Sequence, residues 1–159
     1  MNDKVTFRPM VNDDEIATAA KLMSSSEPFT TLIFTLEKCE KSLRANPANT
    51  YYVAYEGIFA GLMILQTEGA FRGYIQTICV VPELRSKGIG TAMIKYAEEK
   101  IKSISPNVFM CVTSFNERAQ KLYYSLGYEK VGVLKDYIIK GADEYLLRKA
   151  SSPWTEFKP

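Results

Sequence analysis

The hydrophobic positions of the chain change period from block to block, and each block predicts one element of secondary structure. Residues 4–9 alternate between polar and apolar side chains, as a short strand does, and Pro9 ends that strand. Apolar residues then recur at helical spacing in two stretches. The predicted elements of this part are a strand over residues 4–9, a helix capped by Asn12 or Asp13, and a second helix through Leu36, Cys39 and Leu43.

Beyond residue 50 the pattern changes to apolar runs rich in β-branched and aromatic residues, interrupted by two more helical stretches. Glu56 and Gly57 indicate a hairpin turn, and Pro82 ends the third apolar run. The predicted elements are strands over residues 51–55, 58–66, 74–81 and 107–113, helices over 88–104 and from Asn116 to a cap at Gly127, and a closing hairpin over 131–139 and 144–147.

This order of elements predicts an α/β fold with one mixed sheet of about seven strands and four helices. The strand-helix-strand-helix unit at its centre makes part of the sheet parallel. Because no repeat, low-complexity tract or linker divides the chain, residues 1–159 are expected to form a single domain.

The absence of histidine excludes more chemistry than any other feature of the composition. It rules out Ser-His-Asp and Cys-His catalysis, histidine-ligated zinc and a histidine general base. The net charge of +2 is too small to indicate a nucleic acid or an anionic membrane as the main partner. Any chemistry therefore uses carboxylates, tyrosines, cysteines, lysines, backbone amides or water.

The cysteines indicate the compartment. Cys39, Cys79 and Cys111 lie far apart, without the paired spacing of a metal site, and their odd number favours reduced thiols. The N-terminus lacks the apolar core of a signal peptide. The longest apolar stretch, residues 58–65, is much shorter than the roughly 20 residues that span a bilayer. We therefore expect a cytoplasmic protein with neither a metal nor a membrane partner.

A glycine-bearing turn, residues 85–90, lies directly between a predicted strand and an amphipathic helix. The start of a helix leaves backbone N–H groups without partners, and glycines let a phosphate approach them. The cations of Arg85 and Lys87 lie beside the same turn. A tight, solvated turn without a ligand is the alternative. The dinucleotide fingerprint fits poorly because Met93 stands where a small residue is needed, and the lysine of a P-loop is missing from its position.

Two motifs together resemble the GNAT superfamily of N-acetyltransferases. Residues 81–91 resemble the acetyl-CoA signature of that family, in which Arg, two residues, Gly, one residue and Gly follow an apolar strand. Asn116, Ala119, the pair at residues 122–123 and the pair at residues 127–128 resemble its later helix motif. The resemblance implies a single-domain fold of the GNAT type, acetyl-CoA as co-substrate, and transfer of an acetyl group to a primary amine by direct attack.

The resemblance also implies which residues hold the cofactor. The backbone of the third apolar strand would bind the pantetheine arm and polarise the thioester carbonyl, and the amides of the glycine turn would hold the pyrophosphate. Asn116 would bind the arm as well, although it is also a natural helix cap, with Ser114 and Glu117 able to complete a capping box. The implied cofactor residues are Ile78, Cys79, Val80, Val81, Arg85, Ser86, Lys87, Gly88, Ile89, Gly90, Thr91, Asn116 and Tyr123.

Tyr123 stands where the family places the general acid that protonates the CoA thiolate, and core packing on its helix is the alternative. The general base is missing from its usual places, because Gln76 and Cys111 occupy the positions where relatives often carry a glutamate. Gln76 could orient the acceptor or a water, and Cys111 is expected to be a small core residue.

Three residues are candidates for the acceptor side: Glu27, also a candidate base, and Asp136 and Tyr137 on the closing hairpin. A site without a strong base favours an α-amine, with a pKa of about 7.7–8.0, or a small amine of low pKa over a lysine at about 10.4. Deprotonation through a water by a carboxylate elsewhere, such as Glu27, is the alternative.

Three functional hypotheses remain open at the level of sequence. The first is an acetyl-CoA-dependent N-acetyltransferase acting on a small-molecule or peptide amine, as a monomer or a homodimer. The second keeps the fold without the chemistry, as an acyl-CoA-binding sensor or interaction module. The third is a mononucleotide-binding α/β protein that uses the same glycine turn.

Overall fold

The computed structural model describes residues 3–69 and 71–158. Over these residues the chain forms seven strands and four α-helices, in the order that the sequence predicts. The strands are β1 (Val5–Pro9), β2 (Thr50–Tyr55), β3 (Ile58–Gln66), β4 (Tyr74–Val80), β5 (Asn107–Thr113), β6 (Glu129–Ile139) and β7 (Ala142–Ala150). The helices are α1 (Asp13–Ser24), α2 (Leu36–Arg44), α3 (Ile89–Ile101) and α4 (Glu117–Ser125).

The strands form one mixed sheet in the order β1-β2-β3-β4-β5-β7-β6. The strands β4 and β5 pair in parallel, with Tyr74 opposite Phe109, whereas β1–β2, β2–β3, β5–β7 and β6–β7 pair antiparallel. The parallel pair is the one joined through a helix, as a parallel connection requires. The α/β fold with a partly parallel sheet is therefore confirmed.

The residues cluster into two compact units. The first comprises the chain up to Leu65 together with Thr77–Ala97, and the second comprises Gln66–Gln76 together with the chain from Glu98 onward. The single domain over residues 1–159 stays a prediction.

The first unit has an apolar core in which α1 and α2 pack against strands β3 and β4. Tyr96 of α3 makes a separate aromatic contact, stacking on Phe7 with ring centroids 4.2 Å apart and meeting Tyr51 edge-on at 5.5 Å. The buried members of the core are Ala19, Ala20, Met23, Cys39, Leu43, Leu62, Ile64 and Cys79.

The second unit is held by polar contacts as well as by its strands. Glu98 accepts hydrogen bonds at Oε1 from the Tyr128 hydroxyl at 3.0 Å and from the Lys149 ammonium at 2.9 Å. The Arg148 guanidinium donates to Asn107 Oδ1 at 2.7 Å across the β5–β7 pair. The Glu98–Lys149 contact joins the end of α3 to β7, and the Arg148–Asn107 contact joins β7 to β5.

The predicted boundaries differ most from the structure at the end of helix α3 and in the closing hairpin. Helix α3 ends at Ile101 rather than at residue 104, because Ile104 N–H donates to the Ile101 carbonyl in a tighter turn and Pro106 follows. The closing hairpin turns over residues 140–141 alone, since Ile139 already pairs with Ala142. The two closing strands are therefore longer than predicted.

None of the helices in the described ranges combines the length and the apolarity needed for a membrane crossing. Those ranges also contain no group of three or more Cys, Asp or Glu residues placed to hold a metal ion.

Gly61 in β3 offers a test of how closely β3 and β4 approach. A Cβ at this position would lie 2.2 Å from the backbone oxygen of Cys79, whereas a Cβ at Gly132 in β6 would meet nothing closer than 3.9 Å. We expect Gly61→Ala to lower the free energy of unfolding by about 1–3 kcal/mol, as overpacking does. Gly132→Ala, the control, should change it by less than about 0.5 kcal/mol. Urea unfolding measures both, and equal midpoints for the two variants would contradict the close approach.

Candidate functional site

The turn from β4 into α3 has two residues in the left-handed region of the backbone. A short 3-10 turn over Pro82–Leu84 leads to Arg85, after which Ser86 has φ 64° and Gly88 has φ 77°. Left-handed geometry is unfavourable for a residue with a Cβ such as Ser86. Strained backbone conformations of this kind are concentrated at functional sites. Helix α3 begins at Ile89, whose side chain is buried and anchors the turn. Positive φ at alternate residues is a feature of anion-binding nests, in which successive backbone N–H groups converge.

The two basic residues of this turn are both held by neighbours. Arg85 Nε donates to the Val80 carbonyl at 3.2 Å. The Lys87 ammonium lies 5.5 Å from the centre of the Tyr55 ring, and its charge helps to lower the pKa of Glu56, for which the Lys4 hydrogen bond is the larger cause. Two cations therefore reinforce the positive potential at the start of α3.

Some backbone groups at the end of β4 and in the residue after it already have hydrogen-bond partners. Val81 N–H donates to the Ala60 carbonyl at 2.9 Å, and the Val80 carbonyl accepts from Arg85. Cys79 is buried, and burial raises the pKa of its thiol, so it remains a neutral core residue. Any ligand contact made by residues 78–81 must therefore use the backbone groups that these bonds do not occupy.

Asn116 caps helix α4. Its Oδ1 accepts from Ala119 N–H at 3.2 Å and its backbone carbonyl accepts from Gln120 N–H at 3.1 Å. The expected capping role is confirmed, although Ser114 is not the cap, since its N–H donates to the Asp143 carbonyl at 2.8 Å. Because capping uses the amide oxygen, the Asn116 side-chain N–H₂ is the group suited to a ligand.

Tyr123 lies partly buried on α4. Burial raises the pKa of Tyr123 to about 12, so the hydroxyl stays protonated at neutral pH. Its ring meets the Tyr128 ring edge-on at a centroid distance of 6.3 Å, and Tyr128 is itself fixed by Glu98. The neighbouring Tyr124 is 42% exposed, which agrees with its expected place on the outer side of the helix. The Tyr123 ring is therefore packed against a fixed neighbour, and its hydroxyl is protonated.

The two residues at the usual base positions are not bases. Gln76 Oε1 accepts a hydrogen bond from Gln66 Nε2 at 2.6 Å. This bond orients the side-chain amide of Gln76. Burial raises the pKa of the Cys111 thiol, even though a hydrogen bond with the Tyr74 hydroxyl favours the thiolate. Cys111 is therefore a neutral thiol at neutral pH.

The side chain of Glu27 is a weaker base than an ordinary glutamate. It is exposed, and the hydroxyls of Thr30 and Thr31 donate to its Oε1 at 2.5 and 3.1 Å. These bonds, chiefly that of Thr30, lower the pKa of the Glu27 carboxyl. A lowered pKa reduces the proton affinity that a base requires.

The two hairpin candidates have different environments. Asp136 has φ 51°, and its Oδ1 accepts from Gly141 N–H at 2.5 Å, while its own N–H donates to Asp143 Oδ1 at 3.2 Å. Its carboxylate therefore stabilises the hairpin. Tyr137 is 65% exposed and is close enough to Tyr74 to influence its pKa.

The predicted residues fall into both compact units. The first unit contains Glu27, the end of β4 and the whole glycine turn, with Val80 and Arg85 in direct contact. The second unit contains Gln76, Asn116, Tyr123, Asp136 and Tyr137.

Sequence reasoning missed Tyr74 and Glu144, both in the second unit. Burial is the largest cause of a raised pKa at each. Tyr74 shares the period-2 face of Gln76 in β4, and that signal was available in the sequence. Glu144 gave no such signal, because a glutamate next to a turn is normally exposed.

Comparisons with known proteins show which family the chain belongs to. A model of the acetyltransferase (GNAT) family matches residues 15–128. The chain is 33% identical over 78 residues to the N-alpha-acetyltransferase of Sulfurisphaera tokodaii, a match that covers 48% of this chain and 47% of the relative. This chain thus spans about half the length of that relative. It is 28% identical over 137 residues to the N-alpha-acetyltransferase RimI of Mycobacterium tuberculosis, covering 83% and 82% of the two chains.

A solved structure shows the same fold. Naa50 of Arabidopsis thaliana, in complex with the bisubstrate analogue CoA-Ac-MVNAL, aligns with a TM-score of 0.73 and 22% identity over 92% of this chain and 99% of its own. The family model spans most of the chain and includes both the glycine turn and helix α4. The chain therefore belongs to the GNAT family of acetyltransferases.

Proposed function

We propose that this protein is an N-alpha-acetyltransferase, which transfers the acetyl group of acetyl-CoA to the α-amine of a peptide or a small molecule. The observation that carries the proposal is the left-handed turn at Ser86 and Gly88, which presents the start of α3 as an anion site. The relatives named N-alpha-acetyltransferase support the choice of an α-amine. The three free cysteines of the described residues support a reducing compartment such as the cytoplasm.

The cofactor is assigned to the residues of the turn and of β4. The amides of residues 85–91 hold the pyrophosphate, and Arg85 and Lys87 add positive charge. The backbone of residues 78–81 binds the pantetheine arm and polarises the thioester carbonyl. The Asn116 amide nitrogen donates to the same arm. Binding of this kind leaves the acetyl carbon open to attack.

The chemistry is direct attack of the amine on the thioester. The new C–N bond forms as the C–S bond breaks, and the sulfur leaves as a thiolate. A phenol of pKa about 12 is a weaker acid than a thiol of pKa about 8.5, so complete proton transfer from Tyr123 alone is uphill. Tyr123 therefore stabilises the thiolate through a hydrogen bond, and the proton released as the amide forms compensates for any proton it gives.

The acceptor amine is selected by the pKa of its ammonium form. An α-ammonium with a pKa of about 7.7–8.0 loses its proton far more readily at neutral pH than a lysine at about 10.4. Gln76 orients the amine, and Glu27, Asp136 and Tyr137 contribute to binding of the acceptor. Glu27 serves for charge attraction to an ammonium group rather than for proton removal, because its pKa is lowered.

A second function, an acyl-CoA-binding sensor of the same fold, is favoured by one observation, the paired amides of Gln66 and Gln76 where a carboxylate would serve as base. The two functions differ in thiol release. An amine that raises CoA release from acetyl-CoA above the hydrolysis background excludes the sensor.

Gly88→Ala tests the phosphate site. The added Cβ should impair acetyl-CoA binding by obstructing the approach of the pyrophosphate, so that acetyl-CoA no longer raises the melting temperature. Gly141→Ala is the matched control, because Gly141 also has a left-handed φ, 88° against 77°, and a Cβ added there would have no neighbouring atom within 4 Å. Both variants should lose about 1–2 kcal/mol of stability through backbone strain. Equal stabilisation of both variants by acetyl-CoA would contradict the assignment.

Tyr123→Phe tests the assigned acid. We expect the turnover number to fall about 10²-fold, with the KM for acetyl-CoA nearly unchanged, because the hydroxyl acts on the leaving thiolate. Tyr124→Phe, one residue further along α4 and exposed, should leave both constants unchanged. Steady-state thiol release measures both variants. Wild-type turnover in Tyr123→Phe with acetyl-CoA still bound would refute the role.

A further inference from the structure

Four polar side chains lie on one face of the sheet in the second unit. Tyr74 of β4 lies opposite Phe109 of β5, and Glu144 of β7 lies opposite Thr113 of β5. Because side chains on a strand alternate between faces, Phe109, Cys111 and Thr113 share one face, and their partners share it too. Tyr74, Cys111, Thr113 and Glu144, here called the β-face cluster, therefore project to the same side.

Glu144 is the unusual member of this cluster. It is 4% exposed, and among the described residues its Oε1 has no hydrogen-bond partner. The Thr113 hydroxyl hydrogen-bonds to the carboxyl, and none of the ion pairs within residues 3–69 and 71–158 includes it. A buried carboxyl oxygen without a partner is costly to stability. Its persistence points to a role other than packing.

The other members of the cluster can pass a proton but do not lose one at neutral pH. The Tyr74 hydroxyl hydrogen-bonds with the Cys111 thiol, and burial raises the pKa of both groups. Burial also raises the pKa of Glu144, yet a carboxyl starts from 4.5 whereas the thiol starts from 9.0 and the phenol from 10.0. Glu144 is therefore the first group of the cluster to ionise.

We propose that Glu144 is the proton acceptor of the acetylation reaction, receiving the proton of the acceptor's ammonium group through the Tyr74 hydroxyl and the Cys111 thiol. This inference rests on the proposed function, and it supplies the base that the positions of Gln76 and Cys111 lack. Glu144 acts through Tyr74 and so is a positioning and proton-storing residue rather than one that touches the substrate.

The relay moves one proton without consuming its intermediate groups. One N–H bond of the ammonium breaks and its proton joins the Tyr74 oxygen, and the Tyr74 proton passes to the Cys111 sulfur. The Cys111 proton then passes to Glu144 Oε1, which is close enough to raise the pKa of Cys111 and accepts no hydrogen bond from the described residues before the reaction. Tyr74 and Cys111 end unchanged, and Glu144 becomes a neutral carboxylic acid that later loses its proton to water. The neutral amine then attacks the thioester. The second amine proton, released when the amide forms, balances the proton taken up by the CoA thiolate.

Burial raises the pKa of Glu144, and its hydrogen bond with Thr113 of β5 opposes that rise. Beyond the effect of burial, the charge of Glu144 in turn raises the pKa of Tyr74 of β4 and of Cys111 of β5, and Tyr137 of β6 adds to the rise at Tyr74. None of these groups is a cation. The pKa of Glu144 is raised, so the wild-type turnover number should rise with pH as this carboxyl ionises, above the usual range of a glutamate.

Glu144→Gln tests the proposal, because it keeps the shape of the side chain and removes the proton acceptor. We expect turnover near pH 6.5 to fall about 10²-fold, with the loss shrinking toward pH 9, where the α-amine of the acceptor deprotonates unaided. Glu144→Asp, which keeps a carboxyl group, should retain part of the wild-type rise of turnover with pH. Glu129→Gln, the same change at an exposed position of β6, is the control and should keep the wild-type profile. A wild-type pH profile in Glu144→Gln would overturn the proposal.

Tyr74→Phe provides an independent variant if Glu144→Gln folds poorly. The single change should cost a similar factor in turnover, and the double variant should lose no more than the larger single loss, since the two residues act in one relay. If the fold-losses in turnover of the two single variants multiply in the double variant, the relay is overturned. Wild-type protein that acetylates no α-amine would instead refute the proposed function, which keeps the two failures distinct.

Stability supplies a readout that does not depend on activity. A carboxyl whose pKa is raised in the folded state contributes stability that is present below its unfolded pKa and is lost as pH rises through the folded value. The melting temperature of the wild type should therefore fall relative to Glu144→Gln as the pH rises above about 4.5, the unfolded value, and through the raised folded value. A difference between the two proteins that does not change with pH would overturn the premise that Glu144 ionises while buried.

Discussion

The left-handed backbone between β4 and α3 is the constraint on which the proposed function depends. Ser86 and Gly88 both have positive φ, and the buried Ile89 follows directly and begins the helix. The strain at Ser86, a residue with a Cβ, is balanced by the burial of Ile89 and by the bond from Arg85 to Val80. The proposed phosphate binding thus depends on local backbone geometry more than on any single side chain.

The second unit organises proton chemistry without histidine. Burial raises the pKa of Tyr74, Cys111, Tyr123 and Glu144 alike, yet the four groups start from different values and so take different roles. The tyrosines and the cysteine stay protonated and can donate or relay. Glu144 ionises first and can accept. A raised pKa also makes Glu144 a stronger base than an exposed glutamate, at a cost in stability that is common where function requires a buried charge.

Much of the fold was predictable because it follows from local patterns. The alternation in β1, the helical spacing of α1 to α4 and the turn at Gly57 depend on residues close in sequence. The glycine turn was predictable for the same reason. The predicted end of α3 was wrong by three residues, because a tight turn at Ile104 competes with the apolar pattern. The environments of Glu27 and Asp136 were not predictable, since they depend on the hydroxyl of Thr30 and on a hairpin turn shorter than expected. Glu144 was missed because its burial arises from pairing with β5, which is distant in sequence.

The most direct test of acceptor choice uses one peptide that carries both a free N-terminal α-amine and an internal lysine. The protein would be incubated with this peptide and acetyl-CoA at neutral pH, and tandem mass spectrometry would locate the acetyl group. We expect a single acetyl group on the N-terminal nitrogen, because that amine is the one whose proton a raised-pKa carboxyl can accept. Acetylation of the lysine in preference to the N-terminus, or no acetylation of either amine, would contradict the proposed function.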